Sequence, residues 1–275
     1  QLCKDQRAIL AIALFPNHPS AHRAGCGMQR VLLTGGCGHL GTALAQLLTS
    51  RGHAVLRFDV ASPRDCPVAG EHVLGDITLL DQVRAVMARA DAVVHIAAYH
   101  GIHEARGQRS RAEFFELNLR GTFNVLEAAV DAGVSQILFV SSTSVRDRSS
   151  LYGGSKRMGE DLLRTYCAKH RLSAAIVRPR AFIPYWDADA YPGGFLEWAR
   201  RFLHGGVHLD DVAAGVALAM DLVHDGQASH AGPEGAAKPA TIVVPGGEPP
   251  IFLLDGRHDA EAAACDQDGE AENSF

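Results

Sequence analysis

Apolar residues occur along this chain in short continuous runs that alternate with stretches of helical periodicity. The first run begins at Val31, breaks into glycines, and is followed by leucines three and four residues apart on one helical face. The later runs predict further buried strands at 54–58, 71–74, 92–96, 136–140 and 174–177. Helical periodicity predicts helices at 81–89, 113–130 and 152–170, and the polar stretch 100–111 is expected to be a loop.

Alternating strands and helices are typical of an α/β fold, because right-handed crossovers bring successive strands into one parallel sheet. We therefore predict a Rossmann-like, doubly wound parallel sheet with a small C-terminal substrate lobe. The predicted segments are an N-terminal extension at 1–27, a Rossmann domain at 28–180, the lobe at 181–254 and an acidic tail at 255–275. The extension and the tail are expected to be poorly ordered. The lobe should hold a helix with Asp210 and Asp211 as its N-cap, then a strand at 241–244.

The turn after the first strand contains Gly35, Gly36, Gly38 and Gly41. Glycines in a strand–turn–helix unit let the backbone turn tightly and let a pyrophosphate approach the first amides of the helix. Asp59 ends the second strand, 18 residues after Gly41, which is close to the spacing of a carboxylate that binds an adenosine ribose. A purely structural turn is the alternative, and the position of Asp59 favours a nucleotide site.

A cluster of hydroxyl side chains, 141–144, follows the fifth predicted strand, and Tyr152 and Lys156 open the next helix. A spacing of four residues puts the phenol and the ammonium on the same helical face. A neighbouring ammonium should lower the pKa of the phenol and make it a usable proton acceptor or donor. An isolated pair of this kind is usually a surface contact, but here it accompanies the nucleotide turn and the hydroxyl cluster.

Composition limits the classes of function. The chain has 275 residues, is 47% hydrophobic and carries a net charge of −5, which argues against a general nucleic-acid binder. No apolar run has the length of a membrane span. The six cysteines are scattered without a metal-binding or disulfide spacing, so we expect free thiols, no metal site and a reducing compartment such as the cytoplasm.

A series of short motifs follows the chain: TGGCGHLG at 34–41, GDI at 75–77, HIAA at 95–98, NLRGTFN at 118–124, SST at 141–143, YGGSK at 152–156, RP at 178–179 and VHLDDV at 207–212. These motifs occur in the order seen in extended short-chain dehydrogenases/reductases, and the chain resembles their NAD-dependent epimerase/dehydratase branch, which includes sugar-nucleotide epimerases and uronate dehydrogenases. The resemblance implies that NAD is the cofactor. The residues it assigns to NAD are Gly35, Gly38, His39, Leu40, Gly41, Asp59, Asp76, Ile77, Ala97, Ala98, Tyr152 and Lys156.

The same resemblance implies the catalytic roles. Tyr152 is the expected acid/base and Lys156 is expected to hold the nicotinamide ribose. Asn118 should support the catalytic network, and the hydroxyl that bonds the substrate is Thr143, or Ser142 if the alignment shifts by one. The Asp59 carboxylate should repel a 2′-phosphate, so NAD is preferred over NADP.

The substrate-binding parts depart from the family pattern. Only nine residues separate Thr143 from Tyr152, the expected glycine before Pro184 is missing, and the insertion between Pro184 and His208 is short. We therefore expect a small sugar-like substrate, such as a free sugar, sugar acid or lactone, rather than a sugar nucleotide. Whether the outcome is epimerisation or dehydrogenation stays open, and so does a possible homodimer. The alternative function is a non-catalytic NAD-binding sensor or partner-binding module.

Other polar residues have two readings each. His100 and His103 have a spacing that metal sites use, but no third ligand completes a set, which favours a polar loop over a cleft. The same loop contains three arginines that either bind an anion or lie on a solvated face: Arg106, Arg109 and Arg111. Three residues after the sixth strand either line the substrate pocket or pack the lobe: Arg180, Tyr185 and Trp186.

Overall fold

The structure, a computed structural model, describes residues 10–11, 28–62, 69–228, 249 and 251–254. Its strands are β1 (Leu10–Ala11), β2 (Arg30–Thr34), β3 (Ala54–Asp59), β4 (Glu71–Leu74), β5 (Ala92–His95), β6 (Gln136–Val140), β7 (Ser173–Pro179) and β8 (Ile251–Leu254). They form one sheet in the order β1-β8-β7-β6-β5-β2-β3-β4, and every pairing between neighbours is parallel. The predicted Rossmann-like α/β fold is confirmed.

The helices are α1 (His39–Ser50), α2 (Leu80–Met87), α3 (Gly101–Ala105), α4 (Arg111–Phe114), α5 (Gly121–Ala132), α6 (Leu151–His170), α7 (Gly194–Leu203) and α8 (Leu209–Ala228). A π-helical turn, Phe115–Arg120, joins α4 to α5, and a 3₁₀ turn, Thr143–Arg146, follows β6. None of the described helices is long and apolar enough to cross a membrane.

Both faces of the sheet are covered, which explains why its strands are apolar throughout. Val31 and Leu33 of β2 pack with α1 and α8 on one face, whereas Leu32 packs with α2, α5 and α6 on the other. All three side chains have no exposed surface. Because successive side chains of a strand point to opposite faces, a strand buried on both faces reads as a continuous apolar run.

The order of the strands determines where a ligand can bind. From β2 the chain moves outward to β3 and β4, then crosses to β5 on the other side of β2. Thr34 and His95 end β2 and β5 side by side. The carboxyl ends of strands at such a reversal form the crevice in which open α/β sheets bind ligands.

Several local predictions need correction. The predicted helix 113–130 begins at Arg111 and contains the π-helical turn, and the predicted loop 100–111 holds the short helix α3. Asp210 and Asp211 lie inside the first turn of α8, and His208 precedes them, with its Nδ1 accepting from the Asp210 amide at 3.3 Å. The predicted strand 241–244 and the acidic tail fall outside the described residues, as does the extension except for β1.

Candidate active site

The glycine turn brings three backbone segments into contact. Gly35 has a positive φ of +70°, and its amide donates to Phe58 O at 2.9 Å, which ties the turn to the end of β3. A Cβ atom on Gly35 would lie 2.8 Å from the Ala97 nitrogen, and one on Gly41 would lie 2.3 Å from Gly35 O. A side chain at either position would therefore force β2, α1 and the segment after β5 apart.

The first turn of α1 has the features of an anion site. Its N-cap is Gly38, no side chain caps it, and no acidic residue lies in the turn. Uncapped amides at the positive end of a helix dipole favour a phosphate. The Asp59 carboxylate lies beside this turn, accepting from the Cys37 amide at 2.9 Å and from the Ala61 amide at 3.0 Å. These residues fit the pyrophosphate and the adenosine ribose of a dinucleotide.

Among the other residues assigned to NAD, Ala97 and Ala98 follow the carboxyl end of β5, and Asp76 and Ile77 follow that of β4. The Ala97 amide donates to Thr34 O at 3.1 Å, and Ala98 follows it. The Asp76 carboxylate accepts from the Thr78 amide at 2.8 Å, and Ile77 is buried. His39, the first residue of α1, contacts the Asp187 carboxylate through Nε2 at 3.0 Å. The segment after β7 therefore reaches across to the glycine turn.

Tyr152 is bonded to Ser142, which lies two residues after the last residue of β6. The hydrogen bond from the serine side chain lowers the pKa of the phenol, but burial has the larger effect and raises it to about 12. The expected lowering of the Tyr152 pKa by Lys156 is therefore wrong for this structure. Of the two hydroxyls left open by the sequence, Ser142 is the one bonded to Tyr152, while Thr143 opens the 3₁₀ turn.

Lys156 lies one helical turn after Tyr152 and is buried. Its Nζ donates to Val140 O at 2.8 Å and lies 5.0 Å from the centre of the Phe139 ring. Burial lowers the pKa of Lys156 to about 7, against the opposing effect of the Glu160 charge. Burial explains both shifts, since it disfavours the charged form of a lysine and of a tyrosine alike.

Asn118 connects α6 to the segment after β5. Its side chain accepts from the Tyr99 amide at 2.8 Å and donates to Tyr99 O and to Ser155 Oγ, both at 2.9 Å. Ser155 Oγ donates in turn to Tyr152 O at 2.8 Å. Asn118 lies in the π-helical turn. This irregular turn therefore positions the Asn118 side chain between Tyr99 and Ser155.

A buried chain of hydrogen bonds continues from Asn118 to the end of β2, directly before the glycine turn. Thr122 Oγ1 donates to Asn118 O at 2.6 Å, so it must accept from His95 Nε2 at 2.9 Å. His95 Nδ1 then accepts from Thr34 Oγ1 at 2.6 Å. Burial, with the charge of Lys156, lowers the pKa of His95 to about 3, which keeps the ring neutral in this single tautomer.

The remaining polar candidates have structural contacts. His100 and His103 form a capping box at α3, with ring centroids 4.3 Å apart, and the described residues contain no group of three or more potential metal ligands. Arg106 donates to Ala190 O at 3.3 Å, Arg109 pairs with Glu113 at 3.1 Å, and Arg111 opens α4.

The residues after β7 are partly exposed. The Tyr185 and Trp186 rings contact each other with centroids 5.1 Å apart, and Arg180 lies against Gly205. Both thiols in the described residues, Cys37 and Cys167, are free.

Sequence reasoning missed two residues of the site. Glu160, buried in α6, accepts from Ser141 Oγ at 2.6 Å and from two nitrogens of Arg178 at 2.8 and 2.6 Å. Burial alone would raise the pKa of Glu160, but hydrogen bonds from Arg178 and Ser141 lower it below the usual value. Glu104 of α3 bonds to the first turn of α6. A carboxylate four residues after Lys156 was a usable signal for Glu160, but nothing in the sequence indicated that Glu104 meets α6.

The fold and the site together define a dinucleotide-binding α/β protein of the short-chain dehydrogenase/reductase type. The family model for the NAD dependent epimerase/dehydratase family matches residues 31–231. The chain belongs to this family of NAD-dependent oxidoreductases and epimerases.

Individual relatives agree with this membership. Over 183 residues the chain is 28% identical to a uronate dehydrogenase of Pseudomonas syringae pv. tomato, covering 60% of this chain and 64% of that protein. It is 36% identical over 119 residues to a 3-beta-hydroxysteroid dehydrogenase of Mycolicibacterium neoaurum, covering 42% and 32%. The matched part spans about a third of the length of the first curated relatives.

A solved structure shows the same fold. The structure of UDP-glucose 4-epimerase from Brucella ovis in complex with NAD superposes with a TM-score of 0.60 at 22% identity, covering 86% of this chain and 91% of that chain.

Proposed function

We propose that this protein is an NAD-dependent oxidoreductase or epimerase that acts on a secondary hydroxyl or carbonyl of a small sugar-like substrate. The observation that carries the proposal is the hydrogen bond between Ser142 and the hydroxyl of Tyr152 at the carboxyl ends of the strands, where ligands bind in such sheets. When bound, NAD supplies a nicotinamide ring that accepts or returns a hydride.

The side chains divide the remaining work. Tyr152 Oη takes the proton of the substrate hydroxyl during oxidation and returns it during reduction. Ser142 bonds the same substrate oxygen and orients it. Lys156, whose Nζ is held at the Val140 carbonyl, would bind the nicotinamide ribose.

The size of the described lobe supports this substrate class. Between β7 and α8 the chain has only the short segment that contains α7, so this part of the described structure offers little protein to bind a nucleotide part of a substrate. The named activity of the uronate dehydrogenase relative also supports a free sugar acid. The hydroxysteroid dehydrogenase match covers only 42% of this chain and 32% of that protein, so it carries less weight.

Cys37 and Cys167, the two cysteines in the described part of the chain, are free thiols, which suits the reducing conditions of the cytoplasm.

The experiment compares wild-type protein with the variant Tyr152→Phe. NADH binding is followed by fluorescence, and turnover is followed by NADH absorbance with a panel of uronates, aldoses, their lactones and a 3β-hydroxysteroid. We expect turnover of a sugar acid or aldose by the wild type, and loss of turnover with unchanged NADH binding in Tyr152→Phe. Persistent turnover in this variant would show that another group transfers the proton. NADH binding without turnover of any compound would favour the sensor.

The protein is also proposed to form a homodimer. A groove on α5, α6 and the π-helical turn exposes apolar side chains beside one basic and one acidic residue. Its lining is Phe115, Leu119, Arg120, Phe123, Met158, Asp161, Leu162 and Thr165. A two-fold axis through this surface would pack the apolar side chains of the two copies against each other.

A further inference from the structure

The first turn of α6, which carries Tyr152, is capped by a residue that is distant in the sequence. The Leu151 amide donates to Glu104 Oε1 at 2.6 Å, and the Tyr152 amide donates to Glu104 Oε2 at 2.9 Å. Ser150 Oγ donates to Glu104 Oε2 at 2.8 Å and accepts from the Gly153 amide at 3.0 Å. The first three amides of the helix therefore all have side-chain acceptors, two of them on one carboxylate.

Glu104 belongs to α3, which forms a wall beside the tyrosine ring. A Cβ atom on Gly101, at the start of α3, would lie 3.6 Å from Tyr152 Cδ1. The end of α3 is fixed to the segment after β7, since Arg106 donates to Ala190 O at 3.3 Å. Its beginning adjoins Tyr99, whose backbone bonds twice to the Asn118 side chain.

From this arrangement we propose that Glu104 is a positioning residue for Tyr152. A cap from a residue next to the helix in the sequence fixes the helix end only relative to the segment that directly precedes it. A carboxylate from α3 instead fixes the first turn of α6 relative to the wall of the crevice. Negative charge at a helix N-terminus is favourable in itself, so the contact holds without a second cation. The proposal rests on the proposed role of Tyr152 in proton transfer.

The test needs a readout of Tyr152 that works without a known substrate. Protein labelled with ¹³C at the tyrosine ζ carbon gives signals from five tyrosines, and loss of a signal in Tyr152→Phe assigns the one of interest. The variants are Glu104→Ala, Glu104→Gln and a control, Glu113→Ala. Glu113 also caps a helix, accepting from the Ser110 amide at 2.8 Å in the capping box of α4, but its carboxylate bonds to Ser110 and Arg109 and not to the first turn of α6.

We expect the Tyr152 signal to shift and broaden in Glu104→Ala and to keep its wild-type position in Glu113→Ala. Glu104→Gln retains one acceptor oxygen and should give an intermediate position. If Glu104→Ala does not fold, the comparison is made between Glu104→Gln and the control. An unchanged Tyr152 signal in the Glu104 variants would overturn the proposal.

Kinetics separate positioning from a purely structural cap. With a substrate that the wild type turns over, Glu104→Ala should lower kcat roughly 10- to 100-fold, since small misplacements of a reacting group have effects of this size, while the Kd for NADH changes less than about 2-fold. Turnover that persists in Tyr152→Phe contradicts the proposed function. An inactive Tyr152→Phe combined with a wild-type kcat in Glu104→Ala contradicts only the role of Glu104.

Discussion

The ammonium nitrogen of Lys156 donates a hydrogen bond of 2.8 Å to the carbonyl oxygen of Val140, the last residue of β6. This contact holds the lysine against the strand whose end carries Ser142. Because burial lowers the pKa of Lys156 to about 7, the side chain changes charge near neutral pH. Its protonation affects both the stability of the fold and the charge beside Tyr152.

Replacing Lys156 by methionine should stabilise the fold below about pH 7 by about 1–3 kcal/mol, because it removes a buried charge. The unfolded lysine keeps its proton up to about pH 10, whereas the folded one loses it near pH 7. The unfolded state therefore binds more protons between these values, and wild-type stability rises with pH there relative to the variant. Urea unfolding of both proteins from pH 6 to pH 10 measures this. A difference that stays constant over the range would contradict the lowered pKa.

Ser142 and Thr143 are neighbours with different expected roles. Ser142→Ala should lower kcat/KM about 100-fold, since it removes a hydrogen bond made to the reacting oxygens. It should also move the Tyr152 limb of the pH profile to higher pH, because the serine lowers the pKa of the phenol. Thr143→Val is the matched control and should keep at least about a third of the activity. A larger effect of Thr143→Val than of Ser142→Ala would reverse the assignment.

The sequence predicted the parts of the fold that repeat a local pattern. Strands buried on both faces and amphipathic helices leave continuous or periodic apolar signals, and the glycine turn with Asp59 has a fixed spacing. The structure departs from these predictions where tertiary contacts determine the local conformation. The π-helical turn at Asn118 has the same apolar periodicity as an α-helix, so no local signal distinguishes it.

The electrostatics of the site were the feature that the sequence predicted least well. The spacing of Tyr152 and Lys156 was visible, but their pKa values depend on how deeply both are buried, which the sequence does not contain. The same is true of Glu104, which lies 47 residues before Leu151 and meets it only in the folded chain. Contacts of this range are set by the packing of α3 on α6.

Two glycines of the nucleotide turn should respond differently to alanine. A Cβ atom on Gly41 would lie 2.3 Å from Gly35 O, whereas one on Gly38 would make an ordinary contact of 3.4 Å with the same atom. Gly41→Ala should therefore destabilise the fold by about 1–3 kcal/mol or more, while Gly38→Ala should leave its stability unchanged. Thermal unfolding with and without NAD measures both effects. Equal stability of the two variants would show that the backbone of the turn adjusts to an added methyl group at Gly41.

Asp59 should determine the choice between NAD and NADP. Its carboxylate accepts a hydrogen bond from the Cys37 amide, which holds it beside the glycine turn. In this position it would bond a ribose hydroxyl and repel a 2′-phosphate. Asp59→Ser should weaken NADH binding about 10-fold and reduce the preference over NADPH, because both the acceptor and the charge are lost. Titration calorimetry with each nucleotide gives the ratio. Asp91→Asn is the control, since Asp91 bonds to Arg30 at the amino end of β2 and should leave both affinities unchanged.

The groove on α5 and α6 provides a test of the homodimer. Met158 lines it and is 46% exposed, so Met158→Glu should leave the monomer folded while placing a carboxylate from each copy in the apolar interface. Leu203→Glu is the control, because Leu203 at the end of α7 is 85% exposed and lies outside the groove. Light scattering coupled to gel filtration should give a dimer for the wild type and for Leu203→Glu, and a monomer for Met158→Glu. A wild-type monomer at the highest concentration, or a dimer that survives Met158→Glu, would exclude this surface as the interface.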